Sequence, residues 1–132
     1  MRIYLAGSFS RKDELTGYWH DVERETIHTI TSRWLTDEHM PFWRGAMPYD
    51  MAQVAALNDF EDVVRSHAII AFTDDPAKPR GGGGRHVEFG IASHMGLPIY
   101  IVGPREHVFH CLPHVIQFAT WEDCLSYLKE LP

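Results

Sequence analysis

An α/β fold on a parallel sheet with helices on both faces is what this sequence predicts, and three observations carry the prediction. Short apolar runs alternate with amphipathic stretches along the chain, as in repeated strand and helix units. Several runs, Ala68 to Thr73 above all, have no polar face, as strands covered on both sides require. Turn residues follow at once: Gly7-Ser8 after the first run, and two Pro with four consecutive Gly after the third. A length of 132 residues fits one domain and argues against separate cofactor and substrate domains.

Taken in order, Arg2 to Ala6 is a buried strand ending in the Gly7-Ser8 turn. From Lys12 to about Ile30, the residues Leu15, Tyr18, Trp19, Val22, Ile27 and Ile30 recur mostly every three or four positions, which predicts a helix. Ser32 to Thr36 reads as a second strand. Asp37 to Pro48, with Phe42, Trp43 and Gly45, reads as a long loop of the kind that often carries function. Tyr49 to Ser66 is a second helix with Asp50 as its cap. After the Ala68 to Thr73 strand, Asp74 to Gly84 is loop and Arg85 to Met95 is helix, ended by Gly96. Pro98 to Val102 and Val115 to Phe118 make the fourth and fifth strands. Thr120 then caps a final helix to Leu131. The chain shows neither repeat nor linker.

Composition narrows the function. Twelve Lys and Arg against eighteen Asp and Glu leave a net charge of −6, the wrong sign for gripping a nucleic-acid polymer. A small anion remains open, because a few local cations suffice. Nine His, fully protonated, would turn −6 into +3. The longest apolar run of note, Ala68 to Phe72, is far short of a membrane span, and Ile3 to Ala6 is too short for a secretory signal. The expected location is the cytoplasm. Cys111 and Cys124 are too few for a disulfide framework and read as reduced thiols.

In a sheet of this kind the ligand sits beyond the carboxyl ends of the strands, which directs attention to the turns after Ala6, Thr36, Thr73 and Val102. The run Gly81 to Gly84 opens a helix after a strand, so its N–H groups could meet an anion or a sugar hydroxyl. A flexible loop tip is the other reading. Neither the dinucleotide fingerprint nor the P-loop is satisfied there. Glu88 sits one turn inside that helix among Val87, Phe89 and Ile91, a setting for a nucleophile or electrostatic stabiliser kept ionised by the helix N-terminus. A surface salt-bridging Glu is the alternative. Asp59 shares a helix face with Ala52, Ala55, Ala56 and Val63, small neighbours that admit an acid to the sheet edge. Two carboxylates on converging elements can divide the work of glycosidic cleavage. His86-Val87-Glu88 lacks the Pro-Cys-x-x-Cys partner of a zinc deaminase. His107, His110, Cys111 and His114 are spaced closely enough to ligate zinc, against the plainer reading of loop histidines. The expectation is no metal.

The segments Ile3-Tyr4-Leu5-Ala6-Gly7-Ser8, Asn58-Asp59-Phe60, Gly84-Arg85-His86-Val87-Glu88-Phe89-Gly90-Ile91-Ala92 and Gly96-Leu97-Pro98-Ile99 resemble the nucleoside 2-deoxyribosyltransferase family. The family includes the 2′-deoxynucleoside 5′-monophosphate N-glycosidases, and the resemblance spans nearly the whole chain in order. It implies a three-layer flavodoxin-like fold with a five-stranded parallel sheet in the order 2-1-3-4-5. It makes Glu88 the nucleophile of a covalent deoxyribosyl intermediate, and gives Asp59 a role with the base or sugar. Tyr4 would lie beneath the sugar, with the Gly7-Ser8 turn at the 5′ end. Asn58, Gly82, Gly84, Arg85 and His86 complete the substrate-binding candidates, with Ser10 and Arg11. The resemblance further implies a homodimer or larger homo-oligomer whose neighbouring subunit completes the pocket, and no cofactor.

Two departures bear on the substrate. Monophosphate hydrolases of the family carry a hydroxyl residue six positions before the nucleophile, where this chain has Gly82. Ser8, Ser10, Arg11, Arg80 and Arg85 would have to supply the missing phosphate donors. His86 replaces a small residue and reads either as a ligand contact that favours the nucleophile's anion or as a solvent-facing helix residue. Trp19, Phe42 and Trp43 are candidates for base stacking or a lid, or for core and interface. The expected activity is cleavage or exchange of the N-glycosidic bond of a 2′-deoxynucleoside or its 5′-monophosphate. The alternative is a catalytically silent nucleotide-binding or sensing module.

Overall fold

The structure, a computed structural model, describes residues 1–36, 47–77 and 83–132. Five parallel strands form one sheet in the order β2-β1-β3-β4-β5: β1 (Arg2–Ala6), β2 (Thr29–Ile30), β3 (Ala68–Phe72), β4 (Ile99–Val102) and β5 (Val115–Phe118). The predicted sheet and strand order are both present. Helices α1 (Lys12–Glu25) and α4 (Trp121–Glu130) pack together on one face, α2 (Tyr49–Val64) and α3 (Gly84–His94) on the other. Between the layers every residue of β3 is buried, as its unbroken apolar sequence requires. Ile3, Leu5, Ile69, Ile99 and Ile101 are fully buried, each contributing about 1.5 to 3 kcal/mol by leaving water. Among the described residues no helix is long and apolar enough to cross a membrane.

The expected elements differ from the structure at the second strand. The first helix ends at Glu25, because Thr26 is extended and its Oγ1 donates to the Val22 carbonyl at 2.7 Å. The same carbonyl accepts Thr26 N at 3.0 Å, so residue 26 closes the last turn twice over. Ile27 then stands exposed, while His28 is buried and its Nε2 donates to the Leu128 carbonyl at 3.0 Å. The strand lies at Thr29–Ile30, and the predicted strand over Ser32 to Thr36 is instead a single 3-10 turn, Arg33–Leu35. Side chains replace backbone pairing here. Ser32 Oγ accepts from the Leu5 N–H at 2.6 Å, and Trp34 Nε1 donates to the Leu5 carbonyl at 2.9 Å. A serine and a tryptophan thus serve the backbone of β1 without extending the sheet.

Smaller differences concern caps. Pro48, not Asp50, is the N-cap of α2, and Asp50 lies in its first turn, where a carboxylate favours the helix dipole. Thr120 caps α4 as expected, its side chain accepting from Asp123 N at 3.2 Å. Gly96 ends α3 with φ +73°. Gly103, after β4, has φ +116°, and a Cβ there would stand 2.5 Å from Thr73 Oγ1. Only glycine lets the ends of β3 and β4 come so close. The predicted loop at Asp37 to Pro48 falls mostly outside the described residues.

Candidate active site

Strand alternation turns Tyr4, on β1, towards the layer of α2 and α3, and the site grows around it. Tyr4 is fully buried, paired across the sheet with Ile69. From α3, Glu88 reaches back over the helix start, so that a Cβ on Gly84 would lie 4.0 Å from Glu88 Oε1. From α2 comes Asp59, half-buried, with Asn58 beside it. Sequence reasoning named all three side chains, and the structure brings them together.

Their electrostatics are unusual. Burial, then the Asp59 charge, pushes the Glu88 carboxyl up to about 8, and the Tyr4 hydroxyl opposes the shift. Glu88 as a residue is only half-buried, but its Oε2 is sealed from solvent. Tyr4 Oη is likewise sealed, and neither oxygen makes a hydrogen bond of regular geometry, although the phenol is close enough to favour the carboxylate's ionised form. Tyr4 itself is raised well above the ordinary phenol value by burial and then by Glu88 and Asp59. The helix N-terminus therefore does not keep Glu88 ionised in the empty site. Desolvation and a like charge outweigh it, which favours the protonated carboxyl.

A second cluster fills the crevice beyond the ends of β1 and β3. Asp74, directly after β3, is buried and accepts the Ser8 hydroxyl at 2.6 Å. Arg11 Nη1 stands 3.5 Å and Arg85 Nη2 3.4 Å from its carboxylate. Arg11 also donates to Glu14 and to the Thr73 carbonyl, while Arg85 forms a two-pronged pair with Glu106. Although burial opposes it, Glu14 and then Asp74 hold the Arg11 guanidinium above its ordinary value. Ser8, Arg11 and Arg85 thus belong to the site region, but with carboxylates already upon them. Asp74 and Glu106 escaped the sequence reading; an acid immediately after a wholly apolar strand, at the carboxyl edge, was the available signal.

The remaining candidates divide. Gly7 packs so tightly that a Cβ would meet Leu15 Cδ2 at 2.7 Å, and Ser10 is exposed. Trp19 is partly buried against the core. Gly82, Arg80, Phe42 and Trp43 lie outside the described residues. His86 turns away from Glu88 to His107, with 3.1 Å between His107 Nε2 and His86 Nδ1. His86, His107 and His110 each bring a ring nitrogen within 4.8 Å of the others, whereas Cys111 and His114 are not part of the group. Two features oppose a shared ion. His110 Nδ1 is already taken by the Glu106 N–H at 3.0 Å. The His107 and His110 rings are 3.8 Å apart, closer than the roughly 5 Å that imidazoles on one ion adopt. Burial, then His107, drops His110 to about 4, and burial with Arg85 lowers His86. The three rings pack against one another beside the first turn of α3.

Asp62 is a further residue that sequence reasoning missed. Fully buried on α2, it accepts from Arg33 N and Arg33 Nε at 2.9 Å each and from Arg65 Nε at 3.1 Å. It pins the helix that carries Asp59 to the turn after β2.

The fold and site define an α/β protein of doubly wound type with a sealed Glu88 carboxyl facing the Asp59 charge at the carboxyl edge of its sheet. No protein-family model matches the chain, and no curated protein is similar to it. Solved structures are. A 2-deoxyribosyltransferase of Bacillus psychrosaccharolyticus shares the fold with a TM-score of 0.71 at 18% identity, over 96% of this chain and 92% of that one. A CMP N-glycosidase of Clostridium botulinum, BcmB, does so at 0.58 and 20%, over 97% and 98%. A conserved protein of Enterococcus faecalis gives 0.67 and 16%, over 98% of each chain.

Proposed function

We propose that this chain cleaves or exchanges the N-glycosidic bond of a 2′-deoxynucleoside or its 5′-monophosphate, through a covalent bond between Glu88 and C1′. The observation that carries the reading is the convergence of Glu88, Asp59 and Tyr4 in one water-poor pocket, with two carboxyls coupled. The fold shared with a 2-deoxyribosyltransferase and a CMP N-glycosidase supports it.

In this mechanism the ionised Glu88 attacks C1′. The bond from C1′ to the base nitrogen breaks and its electron pair leaves with the base, which takes a proton from water. Water, or the nitrogen of a second base, then attacks C1′ and releases Glu88, with Asp59 accepting the nucleophile's proton. Tyr4 holds the carboxylate in place and favours its anion. The chemistry rests on carboxyl groups alone, so no metal or organic cofactor takes part.

The working form is a homo-oligomer acting in the cytoplasm. On α2, Val54, Leu57 and Phe60 recur at three-residue spacing with 57%, 62% and 55% of their surface exposed, and Val64 and the Val87 of α3 extend the apolar face. Asn58 and Asp59 lie within that stretch, so a second copy covering it also closes the pocket.

The test is a panel of deoxynucleosides and deoxynucleotides, with and without an added acceptor base, read by chromatography for free base or exchanged nucleoside. Base release that disappears in Glu88→Gln is expected. Binding without release would establish a nucleotide-binding module instead.

A further inference from the structure

The crevice between the ends of β1 and β3 is where a sheet of this order receives the charged end of a ligand. There the strand ends part, and the N-terminus of α3 points in. A 5′-phosphate would be the only anion of a deoxynucleotide, and this crevice is one helical turn from Glu88 along α3, since Arg85 precedes Glu88 by three residues. In this chain the crevice already contains an anion, the Asp74 carboxylate.

We propose that the crevice is built for an uncharged 5′ end, so that the chain acts on 2′-deoxynucleosides in preference to their 5′-monophosphates, with Asp74 setting the preference. The proposal rests on the glycosidic reading of the Glu88 pocket and names the substrate class within it. Three features carry it. The Ser8 hydroxyl has given its proton to Asp74 at 2.6 Å, so its oxygen offers lone pairs, which a 5′-hydroxyl can use and a phosphate oxygen cannot. Both arginines are occupied: Arg85 by Glu106 and Asp74, Arg11 by Glu14, Asp74 and the Thr73 carbonyl. Among the described residues two guanidinium groups therefore face three carboxylates, and Asp74, with 3% of its side chain exposed, has little water to screen it. A phosphate entering this field meets net negative charge; a hydroxyl meets acceptors.

Asp74 acts here through the field and through the groups it holds, so the readout is a ratio of substrates rather than activity alone. Each deoxynucleoside is compared with its own 5′-monophosphate by kcat/KM for base release. The expected preference is for the nucleoside, by about tenfold or more. Asp74→Asn keeps the shape and removes the charge, and it moves the ratio towards the monophosphate by about tenfold. Glu106→Gln releases Arg85 and moves it the same way by less; it also serves if Asp74→Asn does not fold. Inorganic phosphate titrated by calorimetry into the unmodified protein gives no binding at millimolar concentration, and binds the Asp74→Asn protein. A preference for the monophosphate, a ratio that neither substitution moves, or phosphate binding to the unmodified protein overturns the proposal while leaving glycosidic cleavage standing. Base release from no substrate removes both.

Discussion

Two groups of acids lie on the same edge of the sheet, and they are treated in opposite ways. Asp62 and Asp74 are buried against arginines: Asp62 takes Arg33 and Arg65, and Asp74 takes Ser8 with Arg11 and Arg85 close by. Glu88 is buried against another acid, Asp59, with the Tyr4 phenol in support of its anion. A buried carboxylate with a cation at hand ties elements together. One facing a like charge holds its proton until something arrives to take it, and so stores reactivity. The difference separates scaffold from chemistry more sharply than burial does, since both groups are buried.

The largest effect that tests this contrast is on activity. Glu88→Gln is expected to lower base release by on the order of 10³ or more while circular dichroism shows an unchanged fold. Retained activity would make Glu88 a bystander and erase the distinction. For the scaffold acids the effect is on stability. Asp62→Ala strands the Arg33 N–H and two guanidinium groups, and is expected to cost about 2 kcal/mol in urea denaturation. Half-exposed arginines can turn to water, which keeps the loss from being larger. No loss at all would show that Asp62 holds nothing in place.

Much of this was legible in the chain. The parallel sheet followed from the apolar strands, while the strand order and the meeting of Tyr4 with Asp59 and Glu88 followed from the resemblance that the Ile3 to Ser8, Asn58-Asp59 and Glu88 segments carry. What was not legible depends on partners distant in sequence. The strand expected at Ser32 to Thr36 fails because Ser32 and Trp34 spend their side chains on Leu5, some 27 and 29 positions away. The state of Glu88 was misjudged for a similar reason. Its helix start argues for an anion, but the desolvation and the charge that outweigh it come from β1 and α2. Arg11 and Arg85 read as free donors until Asp74 and Glu106 are seen upon them.

The raised carboxyl of Glu88 also carries a definite sign in stability. Glu88 titrates near 8 in the folded chain against 4.5 ordinarily, so between those pH values the folded state keeps a proton that the unfolded chain has released. Stability attributable to Glu88 therefore falls as pH rises through that window and stays low above it. Gln has no such proton, so Glu88→Gln should be indistinguishable from the unmodified protein near pH 4 and more stable by about 1 to 2 kcal/mol at pH 9. Thermal melts across the range read the gap directly. A gap that closes with rising pH would mean that burial does not hold the proton on Glu88.

The smallest expected effect is the most discriminating, because it comes in two directions. In the free protein kcat/KM follows the ionisation of the nucleophile, so it rises with pH along a limb near 8. Asp59 raises that limb by repelling the second charge, and Tyr4 lowers it by favouring the anion. Asp59→Asn should shift the limb down and Tyr4→Phe should shift it up, each by about one pH unit or less. Asp59→Asn also removes the acceptor for the attacking nucleophile's proton, so its maximal rate falls while its limb moves, whereas Tyr4→Phe moves the limb with a smaller loss of rate. Limbs that shift together would trace the displacement to burial alone, and the pairing of Glu88 with Asp59, which sets this pocket apart from the arginine-paired acids beside it, would be lost.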